Sequence, residues 1–192
     1  NGSSIAAVKN GKVIDTTMGL TPLDGLAMAT RCGAIDPSVV LFLMEKENMD
    51  AMQIDNFLNR RSGILGISGL SSDFRDLEAA ANNGDERSQL AIDVFAYKVK
   101  KYIGGYVAAM GGVDAIVFTA GLGENSPFMR EKICNGLEYL GTRIDPELNK
   151  IRGKAREISI KRSRTKIFVV PTNEELVIAR DTKRICGRLA EL

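Results

Sequence analysis

Histidine is absent from all 192 residues, which removes the usual general base, proton shuttle and imidazole metal ligand at once. Whatever chemistry the chain supports runs on carboxylates, guanidinium groups, amides and backbone dipoles. Cysteine is scarce: Cys32, Cys134 and Cys186 are odd in number, far apart and form no CxxC pair, a pattern that reads as free thiols in a reducing cytoplasm. Neither sign of charge dominates. The 26 basic and 24 acidic side chains leave a net charge of +2, so no global field calls for nucleic acid or a membrane surface. Apolar runs are interrupted by charges well before the roughly 20 residues a membrane-spanning helix needs. No signal peptide, internal repeat or low-complexity tract is visible. No GxxxxGK followed by Ser or Thr occurs, which excludes a P-loop as phosphate cradle, so any phosphate site must be built from hairpin turns.

With 44% hydrophobic residues, a chain of this size buries one substantial core without disulfide or metal staples, and a single compact domain is expected. It opens in mid-motif on Asn1-Gly2-Ser3-Ser4, without an initiator Met, and is expected to belong to a larger protein. The runs Ile5 to Val8 and Lys12 to Met18 flank Asn10-Gly11, a strong hairpin signal. An ordered loop system rich in turn formers, expected to contain a short helix, follows from Gly19 to Asp36. Helices are predicted from Ser38 to Glu47, capped by Asp36, and from about Asp50 to Arg60. Ser62 to Leu70, punctuated by glycine, reads as a loop. Asp73 caps a helix from Phe74 to Ala81. Asp85 to about Met110 is the longest helical pattern, with Leu90, Val94, Phe95, Tyr97, Val99, Tyr102 and Ile103 on its apolar stripe and Gly104-Gly105 expected to bend or weaken it. A strand over 115–119, a glycine turn, a helix ending at Leu140, short strands over 157–160 and 166–170, and a closing helix expected from Asn173 to Leu192 complete the chain. Strands, then helices, then alternation define an α/β class with a mixed sheet.

Five places hold residues suited to chemistry. Gly121-Leu122-Gly123-Glu124-Asn125 joins a buried-looking strand to an amphipathic helix, where backbone N–H groups meet an anion and glycine allows close approach. An ordinary tight connection explains the same residues, and a dinucleotide fingerprint would want a third glycine where Ser126 stands. Glu174 and Glu175 stand where the last strand becomes the last helix. A carboxylate there can hold a Mg²⁺ that keeps most of its waters, or simply complement the helix dipole beside a Thr172 or Asn173 cap. Arg31, among small residues, is placed to offset charge on a transferring phosphoryl group, or to form a structural ion pair. Asp73 and Arg75 could meet a ribose or an adenine edge, or serve as a cap and a solvated surface charge. The basic run between Arg152 and Lys166 has no interleaved aromatic residue, and a solvated loop with a charged edge strand accounts for it better than nucleic acid.

Taken together and in order, NGSS (1–4), GLTPLDGLAMATRCGAIDP (19–37), SGLSSDFRDL (68–77), FTAGLGENS (118–126) and PTNEEL (171–176) resemble the C-terminal part of the acetate kinase family, within the superfamily of acetate and sugar kinases, actin and heat-shock chaperone ATPases. The resemblance covers essentially the whole chain. It implies a ribonuclease-H-like (actin-like ATPase) α/β domain with a mixed sheet flanked by helices and its first strand truncated. Residues 1–192 would then be the single C-terminal nucleotide-binding domain of a two-domain kinase whose N-terminal domain is absent. The implied reaction is reversible, Mg²⁺-dependent (or Mn²⁺-dependent) phosphoryl transfer from ATP to acetate, giving acetyl phosphate and ADP.

The resemblance places Asn1 and Gly2 against the ATP phosphates and Arg31 on the phosphoryl group in flight. It assigns Asp73, Phe74 and Arg75, with Gly121, Leu122, Gly123, Glu124 and Asn125, to the adenosine part, and Glu174 to the metal. It further implies a cytoplasmic homodimer and no nucleic-acid or membrane partner. The histidine that the family carries ahead of NGSS, and the Asp, Arg, His and Asn of its N-terminal domain, are not among these residues. The chain alone is therefore expected to bind nucleotide weakly at best and to turn over no acetate. A propionate or butyrate kinase, or a non-catalytic actin-like nucleotide-binding module, are the alternatives; an incomplete glycine fingerprint disfavours a dehydrogenase half.

Overall fold

Asn10-Gly11 turns the chain back as the sequence predicts. Both residues have positive φ, 53° and 75°, the requirement of a type I′ hairpin turn, and they join β1 (Ala6–Lys9) to antiparallel β2 (Lys12–Thr16). The strands are shorter than predicted because Thr17 already turns inward: it is buried, its N–H donates to Ile5 O and its Oγ1 accepts from Ile5 N. The computed structural model describes residues 2–189, and the chain divides into two compact units, Asn1–Val113 and Asp114–Leu192.

The spine of the first unit is α5 (Glu86–Met110). Asp85 caps it by accepting from Ser88 N, and Gly111 ends it in the left-handed conformation, the usual start and stop chemistry. The helix runs unbroken through Gly104-Gly105. Its buried face holds Ala91, Ile92, Phe95, Ala96, Val99, Ile103 and Tyr106, whereas Leu90 and Tyr97, expected on the stripe, are exposed. They sit one position off the i, i+3, i+4 rows that meet α3 and α4. The hairpin rests on the far end of α5, where Lys9 Nζ donates to Met110 O and the Tyr106 hydroxyl reaches Asp15 Oδ1 at 3.5 Å.

Helix α1 (Ser38–Lys46) starts where Asp36 Oδ1 accepts from Ser38 N. Before it, residues 19–36 form turns and not the expected short helix. Helix α2 (Ala51–Arg60) starts with a reciprocal box between Asp50 and Gln53. The stretch 62–70 corrects the sequence reading. Instead of a loop, Gly63–Ser68 forms a short helix, α3. Its first N–H groups are satisfied from outside, Ile64 N donating to Met28 O and Leu65 N to Ala29 O, and Arg87 of α5 donates to its last carbonyls, Gly66 O and Ile67 O. Tertiary partners therefore override a glycine-weakened propensity. Helix α4 (Phe74–Asn82) follows, capped by Asp73.

The second unit is built on a mixed sheet in the order β3-β5-β4. β3 (Ala115–Phe118) runs parallel to β5 (Lys166–Val169), and β4 (Arg156–Glu157) pairs antiparallel as the edge. β4 begins one residue before the predicted 157–160 and is shorter, because Ile158 and Ser159 turn to meet Ile167 and Ile144. The predicted glycine turn is a short helix, α6 (Ala120–Asn125). Helix α7 (Pro127–Cys134) stops before the predicted Leu140, because Asn135-Gly136 breaks it with φ of +90° at Gly136 and a 3-10 turn takes over at Glu138–Leu140. α8 (Glu174–Leu189) is the last described element, and the predicted end of that helix at Leu192 lies outside the described residues. Among the described residues no helix is long and apolar enough to cross a membrane.

Candidate functional site

Arg31 sits on a loop held from three sides. Leu26, Ala27 and Met28 plug it into the core. Ser62 N donates to Thr30 O, Cys32 N to Leu58 O, and Thr30 Oγ1 to Asn59 O, each at about 3 Å, so the loop is sewn to the end of α2 and the start of α3. Lys98 Nζ on α5 reaches Ala34 O at 3.0 Å. Gly63 is required at the seam: its φ is +61°, and a Cβ there would collide with Met28 O and Arg31 O. The half-buried Arg31 side chain has only light internal commitments, Nη1 lying 3.2 Å from Pro22 O and 3.7 Å from Met28 Sδ. A Cβ built on Gly2 would lie 3.3 Å from that same Nη1, so the first turn and the guanidinium are neighbours. Beside Arg31, burial pushes the Cys32 thiol pKa up. Asn1 lies outside the described residues.

Helix α3, six residues and about 9 Å long, leads from this loop toward the second group of predicted residues. Asp73 caps α4 by accepting from Arg75 N at 2.9 Å, and its carboxylate also takes the Arg75 guanidinium at 2.6 Å. The Arg75 side-chain bond first, then its backbone N–H, hold the Asp73 carboxyl down from 3.8 to about 2. Phe74 points inward, its ring edge-on to Phe95 at 4.9 Å, while the Arg75 side chain is 89% exposed. Asp73 and Phe74 thus shape the turn, and Arg75 offers a free planar face suited to stacking on a base.

A folded-state pKa below the unfolded one stabilises at neutral pH, and that contribution disappears as pH falls through the folded value. The melting-temperature gap between the full-length protein and its Asp73→Ala variant is therefore expected to be flat above about pH 5. It should narrow as pH drops from about 4 to about 2, and a gap independent of pH would show that only the neutral cap matters.

In the second unit, α6 and the start of α8 emerge from the carboxyl ends of the parallel strands β3 and β5, the edge where ligands meet open α/β sheets. Gly121, Leu122, Gly123 and Asn125 lie in α6, with Asn125 Nδ2 donating back to Gly121 O. Glu124 Oε1 accepts from Ala120 N at 2.7 Å, from Thr172 N at 2.9 Å and from Thr172 Oγ1 at 3.3 Å. Asn173 Oδ1 accepts from Leu176 N and so caps α8. Glu174 and Glu175 fill its first turn, both exposed.

Among the described residues no cluster of three or more His, Cys, Asp or Glu side chains could hold a metal on its own. An exposed Glu174 carboxylate fits a hydrated divalent cation whose remaining ligands are waters and phosphate oxygens. Beneath this edge lies Arg130, fully buried, which sequence reasoning missed. Its five donated bonds run to Gly123 O, Glu124 O, Asn149 Oδ1, Asn149 O and Ile151 O. Burial first, then the Arg152 guanidinium, push its pKa down. The available signal was its position between Met129 and Ile133 on the inward face of α7.

The Acetokinase family matches residues 1–180. The acetate kinase of Thermoanaerobacterium thermosaccharolyticum is 64% identical over 190 residues, 98% of this chain and 48% of that protein. Among solved structures, Porphyromonas gingivalis acetate kinase superposes with a TM-score of 0.92 at 50% identity, covering 97% of this chain and 47% of that one. A propionate kinase from Francisella tularensis does so at 0.86 and 44% identity, covering 93% of this chain and 46% of its own. These likenesses, with the mixed sheet and its flanking helices, define an actin-like α/β fold. The chain belongs to the acetokinase family. It spans about half the length of the curated relatives it matches.

Proposed function

We propose that residues 1–192 are the C-terminal, nucleotide-binding domain of an acetate kinase, which transfers the terminal phosphoryl group of ATP to acetate with Mg²⁺ or Mn²⁺ present. One observation carries the reading: in a chain of this family, a half-buried guanidinium stands beside the glycine of the first turn on a loop pinned by backbone bonds. In-line transfer to an acetate oxygen needs positioning and charge neutralisation more than covalent help. The acetate carboxylate is already ionised at neutral pH, so the absence of a histidine base in this domain costs the reaction nothing.

In this reading Asn1 and Gly2 face the phosphates, and Arg31 offsets the charge on the group in flight. Asp73, Phe74 and Arg75 in the first unit, and Gly121, Leu122, Gly123, Glu124 and Asn125 in the second, are each assigned to adenosine, and Glu174 to the cation. A cation bound there would neutralise phosphate charge. The first turn of α8, through Glu174, would be its protein-side anchor. The working protein is proposed to be a cytoplasmic homodimer that includes an N-terminal domain of its own.

The full-length protein is expected to form acetyl phosphate from acetate and ATP, with acetate preferred over propionate and butyrate, while residues 1–192 alone form none. Acyl phosphate release measured as hydroxamate decides this. No product from any of the three acids in the full-length protein would overturn the proposal.

A further inference from the structure

Glu124 ties the two loops at the carboxyl edge of the second sheet to each other. β3 and β5 run parallel there, and Val170 N donates to Phe118 O just beyond the last paired residues. The chain then leaves each strand through an abrupt turn. On the β3 side the turn is made by Ala120, a non-glycine residue at φ of +57°, a conformation that needs local compensation. On the β5 side it runs through Pro171 and Thr172 into the first turn of α8. Glu124 Oε1 takes the N–H of Ala120 and both the N–H and the hydroxyl of Thr172. Three donors converge on one oxygen. Arg130 holds the same residue from below, its Nη1 donating to Gly123 O and Glu124 O, so the carboxylate is presented from a fixed backbone.

We propose that Glu124 is a positioning residue: its Oε1 latches the Ala120 turn to the Thr172 turn and thereby sets where the Glu174 carboxylate, two residues on, stands for a divalent cation carried by nucleotide. The inference rests on the reading of Glu174 given above. It assigns the Glu124 side chain to the frame, leaving its backbone in the adenosine-side segment. Its signature is that the acceptor matters and the charge does not. A glutamine carbonyl oxygen can take the same three donors, whereas a carboxylate acting directly on cation or phosphate could not be replaced by an amide.

The test uses the full-length protein with ADP and Mn²⁺ as the probe. Mn²⁺ affinity is read by electron paramagnetic resonance, and hydrogen–deuterium exchange is read on segments 118–126 and 170–176. Glu124→Gln is expected to keep Mn²⁺ affinity within about threefold and to leave exchange in both segments near that of the parent. Glu124→Ala is expected to weaken Mn²⁺ about thirtyfold and to raise exchange in both segments together. Equal damage from the two variants would mean the charge is what counts, and unchanged exchange in Glu124→Ala would mean there is no latch; either overturns the proposal. Should Glu124→Ala fail to fold, Glu124→Gln decides alone, a loss of about tenfold overturning the proposal and retention supporting it. Glu174→Ala separates the two layers of argument, since Mn²⁺ affinity unaffected by that change overturns the reading beneath the proposal rather than the latch.

Discussion

Replacing Arg31 with Ala in the full-length protein is expected to lower kcat for acetyl phosphate formation about a thousandfold, with KM for ATP changed by no more than about threefold. The asymmetry follows from what the guanidinium touches. Its internal bonds are one to Pro22 O and one weak contact to Met28 Sδ, and the loop is held by backbone bonds from 28, 30 and 32 that the substitution leaves in place. Folding is therefore spared, and on the role proposed for Arg31 the interaction removed is strongest in the transition state. Arg31→Lys restores a charge without the planar fork, and should recover about tenfold at most. A kcat close to that of the parent would show that Arg31 serves only its loop.

The second large effect is on stability. Arg130→Met in the full-length protein is expected to destabilise this unit by about 4 kcal/mol, because a guanidinium whose five N–H groups are all satisfied is replaced by a thioether that donates nothing. Gly123 O, Glu124 O, Asn149 Oδ1, Asn149 O and Ile151 O all lose a donor. With no acidic partner among those five, the bonds act as scaffolding for the end of α6 and the 3-10 turn Leu148–Lys150. Urea unfolding followed by far-ultraviolet circular dichroism measures the change. A loss below about 1 kcal/mol would mean that water enters and repairs the site.

Elements whose causes are local were legible in the sequence. Asn10-Gly11 specifies its own turn, Asp73 and Asp85 their helix starts, and Gly111 a helix end. What escaped prediction depends on distant partners. α3 exists because Met28 and Ala29 supply acceptors to one end and Arg87 supplies donors to the other. α6 is helical where glycines suggested a turn, held by Glu124 on one side and Arg130 on the other.

The candidate site was legible as motifs rather than as geometry. Gly2 is placed beside Arg31, and Asp73 with Arg75. No pattern in the sequence told that Phe74 would spend its ring on Phe95, or that the Glu124 carboxylate would bind its own chain. Arg130 was missed for a related reason: a lone arginine in a helix reads as solvated until Met129 and Ile133 beside it are taken to mark the inward face.

An unbroken α5 makes the first unit a lever. Its 25 residues span about 37 Å, and a tilt of about 5° at one end displaces the other by roughly 3 Å. Phe74 and the Asp73 turn ride on its early part, the Asn10-Gly11 hairpin on its last turns. If the proposed kinase closes over its substrates, the Asp73 turn and the Asn10-Gly11 hairpin, both packed on α5, must swing as one piece. Their spacing would then act as a fixed ruler for whatever ligand this unit holds.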